Sequence, residues 1–375
     1  MNLNILKKES SPAQTVINSV LKVKKNEKVL IVANPETNLM AQDLYTACIE
    51  CGAEPTLIFQ TAKKAMDAAE PAVIGALKSE PSVFLSISYM KLGKDPAAAA
   101  NPYKTEDGKT FDHIFDYLLE GKKTMRAVWT PGLTQDMFDR TVNIDYGLLA
   151  ERCTNLAKKF DNVISAHITA PGGTDITVPL EGRKPFHDNG DFSKPGSGGN
   201  IPAGEVFISP VVGDHKTEGS GCNGTIVFDG SMTFGDGDSI INTPINVTVK
   251  NGFVSDIKGG TEARRLLATI LEAEIKAVKM EHDGKLPKGQ GEVYKRNARN
   301  IGELGIGLNP SATISGNMLE DEKAFRTCHF AIGQNYDGDA PSLIHLDGVV
   351  RNPTIVINYK DGTSFTALEE GVLKV

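Results

Sequence analysis

No apolar stretch in the 375 residues approaches the eighteen or so uninterrupted positions that a membrane helix needs. The longest obvious run, Val29 to Ala33, is strand-sized, so the chain is not expected to be integral to a membrane. Positive charge is scarce as well: 40 Lys plus Arg stand against 47 Asp plus Glu, a formal net charge of −7, which disfavours general affinity for nucleic-acid phosphates. The one lysine cluster, Lys22, Lys24, Lys25 and Lys28, is interrupted by Glu27 and reads as a solvated face. Met1 to Ser10 carries two lysines with no apolar segment behind them, so a secretory leader is not expected and a cytoplasmic location is. The five cysteines are odd in number and widely spread, which fits reduced thiols better than a disulfide scaffold. Cys48 and Cys51 form a CxxC, but it lies in a helical pattern with no second pair to complete a zinc site, and packing is the expected role.

Several catalytic signatures are missing. There is no HExxH, no GxSxG and no Walker motif, which removes support for the zincin, α/β-hydrolase and P-loop routes. The first strand leads into Asn34-Pro35-Glu36-Thr37 rather than GxGxxG, so the backbone lacks the glycines that let a pyrophosphate approach, and no nucleotide cofactor is expected.

What is present divides the chain in two. Residues 1–160 alternate strand and helix signals: strands at Glu27 to Asn34, Thr56 to Phe59, Val83 to Ser88 and Arg126 to Thr130, with an apolar helical stripe at Met40, Leu44, Cys48 and Cys51 and a second helix at Pro71 to Lys78. This predicts an α/β domain built on a doubly wound, mostly parallel sheet. The segment Met90 to Asp112 interrupts the alternation and is expected to cover one end of that sheet. A helix over Asp145 to Phe160 leads to residues 161–375, where strands broken by turn signals predict an α+β, strand-rich domain. Asn189 to Gly204 reads there as a long flexible glycine-rich loop, and Thr261 to Met280 as a long helix.

The chemistry crowds into the last part of the chain. Glu303 is flanked by glycines in an apolar, strand-like segment, Ile301 to Gly307. Burying its charge unpaired would be costly, so it should face solvent, a cation or a metal. His345-Leu346-Asp347 puts an imidazole and a carboxylate on one face of an extended strand, where they can share a cation, and His329 could supply a third group. Two histidines and a carboxylate also make the facial triad of non-haem iron enzymes. His113, His167, His187, His215 and His282 have no partner at a metal-like spacing, and Asp229, Asp236 and Asp238 suit a turn better than a calcium loop.

The ordered set Asn200-Ile201-Pro202-Ala203-Gly204-Glu205-Val206-Phe207, then IGELGIGLNP from Ile301, then CHFAIG from Cys328 with a downstream His345-Leu346-Asp347, resembles the signature of the aminopeptidase T (M29) family of metallopeptidases. The resemblance implies a pair of divalent metals, cobalt or zinc, held by Glu205, Glu303, His329, His345 and Asp347, with Tyr336 as the tyrosine that follows the first histidine. Glu205 and Glu303 are then the candidates for moving the water's proton, and Tyr336 for a hydrogen bond to the developing oxyanion. The implied activity is removal of N-terminal residues from short peptides by a homodimer. The two histidines stand closer together, and the two glutamates farther apart, than in the usual peptidase pattern. A ring-opening dioxygenase branch resembles the same scaffold with a single iron held by two His and one Asp, for which His329, His345 and Asp347 would serve. A catalytically inactive metal-binding member is the third reading.

Overall fold

The computed structural model describes residues 10–64 and 66–375; all but the last residue of the Met1 to Ser10 segment, on which the leader expectation rests, lies outside them. The chain forms two compact units. One takes the chain up to Ala150 together with Gly190–Ala203; the other takes Glu151–Asn189 and Gly204–Val375.

The first unit is built on a five-stranded parallel sheet with the spatial order Gly198–Asn200, Arg126–Trp129, Val83–Ile87, Lys28–Ala33 and Glu54–Phe59. Lys28–Ala33 and Val83–Ile87 carry the continuous apolar runs because helices cover both faces; Leu30, Val32, Val73, Leu77, Phe84 and Leu118 belong to one buried cluster. The helix Asn38–Glu50 buries Met40, Leu44 and Cys48, and burial pushes the Cys48 thiol up to about 12, the behaviour of a packed thiol and not of a reactive one. At the end of the first strand the Asn34 side chain donates to the Gln60 carbonyl at 2.8 Å and accepts from the Tyr89 N–H at 2.6 Å, so an amide side chain ties three chain segments together where a dinucleotide fold would place glycines. The Met90 to Asp112 segment holds a helix, Pro96–Ala100, capped by Asp95, and a two-stranded ribbon.

The Asn189 to Gly204 stretch departs from the expectation of a flexible loop in the strand-rich domain: Gly198–Asn200 pairs in parallel with Arg126–Trp129 as the edge of the first sheet. Gly198 permits this approach, since a Cβ there would lie 2.7 Å from the Ala127 carbonyl oxygen.

The second unit contains two antiparallel sheets. One has eight strands, among them Val163–Thr169, Asp175–Pro179, Asn223–Phe228 and Thr354–Tyr359. The other has seven, ordered Gly237–Ile240, Ser231–Phe234, His345–Arg351, Thr327–Gly333, Ile301–Gly307, Glu205–Ile208 and Phe186–Asp188. The sheets meet where Gly348 lies under Phe228 and Met232; a Cβ at Gly348 would stand 2.5 Å from the Phe228 ring. The helix Thr261–His282 turns Ala263, Leu266, Ile270, Ala273 and Ala277 inward, a stripe at three- and four-residue spacing. Among the described residues no helix is long and apolar enough to cross a membrane.

Candidate metal centre

The seven-stranded sheet brings the predicted residues onto one face. Residues that oppose each other in an antiparallel pair share a face, and positions two apart along a strand share it too. Gly307 opposes Glu205, Gly305 opposes both Phe207 and His329, Glu303 opposes Ala331, Ala331 opposes Asp347, and Gly333 opposes His345. Glu205, Glu303, His329, His345 and Asp347 therefore converge, separated by glycine and alanine. The small residues make the space: a Cβ on Gly305 would stand 1.9 Å from His329 Nε2, inside the ring's own volume. A bulge at Gly302, where the register slips between Ile301 and Glu303, aims the glutamate into the cluster. Both Ile301–Gly307 and Thr327–Gly333 are buried along their whole length, which is why Glu303 and His329 sit inside otherwise apolar strings.

Glu303 is the centre of the group. Its Oε1 lies 3.2 Å from His329 Nε2 and its Oε2 lies 3.2 Å from His345 Nε2. Asp347 Oδ1 stands 3.3 Å from His345 Nε2, and Glu205 Oε2 stands 3.5 Å from His329 Nε2. His345 Nδ1 meets the Gln334 carbonyl oxygen at 2.8 Å, a contact in which Nδ1–H donates and Nε2 is left for the cluster. Burial pushes the Glu303 carboxyl up, but hydrogen bonds and charge from His329 and His345 outweigh it and bring the group down to about 2. Burial likewise favours neutral His329, and Glu303, Glu205 and Asp347 overcome it, raising the imidazole to about 9; His345 is raised for the same reason, with Asp347 the leading partner. Without another cation, protons on the imidazoles balance the carboxylates.

Two residues that the sequence reading missed complete the electrostatics. Lys323 is fully buried and its ammonium donates to Glu205 Oε1 at 3.0 Å and to Glu322. Glu322 is pushed up to about 8, by burial first and then by the charges of Glu205 and Asp347, against the pull of Lys323. Both belong to the run Glu320-Asp321-Glu322-Lys323, whose composition suggests a surface turn; only the tertiary fold buries it. Tyr336 enters through its ring, 5.3 Å from the His345 ring and edge-on to it. Loss of water around the hydroxyl, followed by the Glu303, Asp347 and Glu205 charges, pushes its phenol well up, although the residue as a whole stays exposed.

The donor set fits metal ions. Two groups of three residues bring one ligand atom each within 4.8 Å of one another, Glu205 with Glu303 and His329, and Glu303 with His345 and Asp347. They share Glu303, and neither contains both histidines. Two ligand atoms each ~2.1 Å from a tetrahedral ion lie about 3.4 Å apart, close to the separations seen between these nitrogens and oxygens. Glu205 Oε2, His329 Nδ1 and Asp347 Oδ1 are buried without a hydrogen-bond partner. Buried carboxylate oxygens in that condition call for a cation. The other histidines stand apart from this group: His113 accepts from the Phe115 N–H as a helix cap, His167 pairs with Asp175 at 2.8 Å, and His215 stacks on Phe253.

No curated protein matches the chain. Among solved structures it is similar to 2,5-dihydroxypyridine dioxygenase from Pseudomonas putida KT2440, with a TM-score of 0.66 and 17% identity over 97% of each chain. It is also similar to AmpT from Thermus thermophilus, with a TM-score of 0.62 and 17% identity over 97% of this chain and 98% of that one. At this identity the two likenesses establish a common fold. A family model matches residues 147–365, more than half of the chain and all five residues of the cluster, and its description is 2,5-dihydroxypyridine 5,6-dioxygenase. The chain belongs to this NicX family.

Proposed function

We propose that the protein is a metal-dependent hydrolase that removes N-terminal residues from short peptides, with Glu205, Glu303, His329, His345 and Asp347 as ligands of two divalent ions. The observation that carries this reading is the shared carboxylate: each oxygen of Glu303 faces a different imidazole, at 3.2 Å on both sides, and Glu303 belongs to both candidate ligand groups, so one carboxylate would serve two ions. Five ligands, three of them carboxylates, exceed what one open four-coordinate ion takes. Cobalt or zinc held there would supply an acidified water and a Lewis-acid contact to the scissile carbonyl.

The chain's own groups do the rest. Both oxygens of Glu303 are engaged by histidines, which leaves Glu205 Oε2 and Asp347 Oδ1, both buried without a hydrogen-bond partner, as the carboxylate oxygens for taking the water's proton; of the two, Glu205 is the one held by a buried cation. Lys323 fixes the other Glu205 oxygen and holds that side chain in one orientation. Tyr336, kept protonated by loss of water around its hydroxyl and then by the surrounding carboxylates, donates a hydrogen bond to the oxyanion. The free α-amino group of a peptide is a cation at neutral pH and is matched by the excess of carboxylates on this face.

A second reading, a ring-cleaving dioxygenase with one ferrous ion on His329, His345 and Asp347, has the comparisons behind it, since the matching family is described by that activity and the Pseudomonas structure shares the fold. Against it stand the grouping of the ligands, which divides the two histidines between two sets, and the presence of both glutamates at the centre.

Metal content per chain, measured after loading with cobalt or zinc and again with ferrous iron, together with turnover of aminoacyl anilides, dipeptides and 2,5-dihydroxypyridine, separates the two. About two ions per chain, with anilide hydrolysis abolished in Glu303→Ala, is the expected result. One ferrous ion with oxygen consumption and no hydrolysis would establish the second reading. The homodimer is part of the same proposal, and light scattering is expected to give twice the 40.3 kDa mass of one chain.

A further inference from the structure

A row of aromatic rings runs from the candidate metal centre along the same face of the sheet. The Tyr336 ring lies 5.0 Å from Phe207, which lies 5.4 Å from Phe186 in a stacked pair, and Tyr336 meets the ligand His345 at 5.3 Å. Phe207 and Phe186 oppose each other in the register of their strands, and Phe207 opposes Gly305 on its other side, so both rings share the face that carries Glu303 and His329. Phe186 is 42% exposed and Tyr336 58%, a large apolar area left open to water beside buried charge.

The row is held firmly. Arg183 donates to Asp339 at 2.7 Å and lies 3.7 Å from Asp337, while Asn335 accepts from the N–H groups of Gly338 and Ala340. The loop carrying Tyr336 is thus pinned on both sides of that residue, which preorganises an open aromatic surface and spares a ligand the cost of ordering it.

We infer that Phe186, Phe207 and Tyr336 form the specificity subsite for the side chain of the substrate's N-terminal residue, and that this side chain is large and apolar, with aromatic rings preferred. Rings with centroids 5.0 to 5.4 Å apart in stacked and tilted arrangements are the geometry in which an added ring gains most, and the row starts at a ligand, where the side chain next to the reacting bond must lie. The assignment rests on the hydrolytic reading for its ligand class.

The test uses the metal-loaded full chain and two amino alcohols that cannot be hydrolysed, phenylalaninol and alaninol, titrated calorimetrically. Phenylalaninol is expected to bind about tenfold tighter or more. Phe186→Ser, at an exposed position outside the ligand set, is expected to cut that ratio to about threefold or less while leaving alaninol affinity within about twofold, and Phe186→Leu to fall between. Equal affinities for the two compounds, or a ratio untouched by both substitutions, would overturn the subsite, as would a Phe186→Ser variant whose only change is its oligomeric state. Absence of anilide hydrolysis in the wild type would instead sink the hydrolytic reading, because the binding ratio is read without turnover.

Discussion

Gly305 and Lys323 are the two residues whose substitution says most about the centre. Gly305 has no unusual φ; its requirement is room, because a methyl group would fall 1.9 Å from His329 Nε2. Gly305→Ala is expected to rotate or expel the imidazole, lowering metal occupancy to below one ion per chain and activity by about a hundredfold or more. Elemental analysis of the purified variant, with circular dichroism to establish that it folds, checks this. Lys323→Met keeps the volume and removes the buried charge that lies between Glu205 and Glu322. Leaving two buried carboxylates without their cation should cost about 3–5 kcal/mol in the metal-free protein. Urea unfolding with and without zinc is the measurement, and zinc is expected to recover part of the loss by replacing one cation with another.

At the scale of the element, four adjacent strands carry the five residues of the candidate centre, and the pH dependence of their stability follows from the imidazole they enclose. His329 is raised from an ordinary 6.5 to about 9, so between those values the metal-free folded state holds a proton that the unfolded chain has released. The stabilisation is complete below pH 6.5 and is lost as pH rises through 9. Thermal melts of the metal-free protein should therefore fall in midpoint across this range. With metal bound the imidazole is neutral in the folded state, and the fall should disappear. A metal-loaded protein that shows the same decline would argue that His329 is not a ligand. Glu303 acts in the opposite sense: it is brought down to about 2, so its contribution is present above pH 4.5 and lost as the pH falls through its folded value.

These strands also show what a sequence does and does not disclose about an element. Thr261–His282 and Asn38–Glu50 were legible because their apolar stripes recur at helical spacing, and Lys28–Ala33 because a strand covered on both faces is apolar throughout. Gly198–Asn200 was not, since three small polar residues carry no periodic signal and become a strand only through the free edge of Arg126–Trp129. The run Glu320 to Lys323 gave no signal in the sequence for the converse reason: charge favours exposure, and here hydrogen bonds from Thr313, Ser315 and Gly316 to Glu320 and Asp321, with Lys323 between carboxylates, allow Glu320, Asp321 and Lys323 to be buried.

For the whole molecule, metal binding should be a stability term. An ion that binds only the folded chain adds about 2.7 kcal/mol when its free concentration is a hundred times its dissociation constant. Loading with zinc is expected to raise the melting temperature, and a chelator to reverse the rise. An unchanged midpoint in protein that has taken up metal would mean that the ions sit elsewhere. The two units differ in what they contribute to function: the first holds a parallel sheet whose strand end is closed by Asn34, and the second holds all five residues of the centre.

The sequence by itself determined the α/β class of the first half and the strand-rich class of the second, because hydrophobic period reports which faces are covered, and it singled out Glu303, His329, His345 and Asp347 as polar groups in or beside apolar strands that demand a partner; Glu205 joined them only through the family resemblance. The tertiary structure alone decided how these residues group. Register places Gly305 opposite His329 and Ala331 between Glu303 and Asp347, and it thereby puts Glu303 between two imidazoles. Register and bulge arise from pairing between separate strands, and the burial of Lys323 from its contact with Glu205, 118 residues away in the chain; the local pattern of the chain carries no record of either.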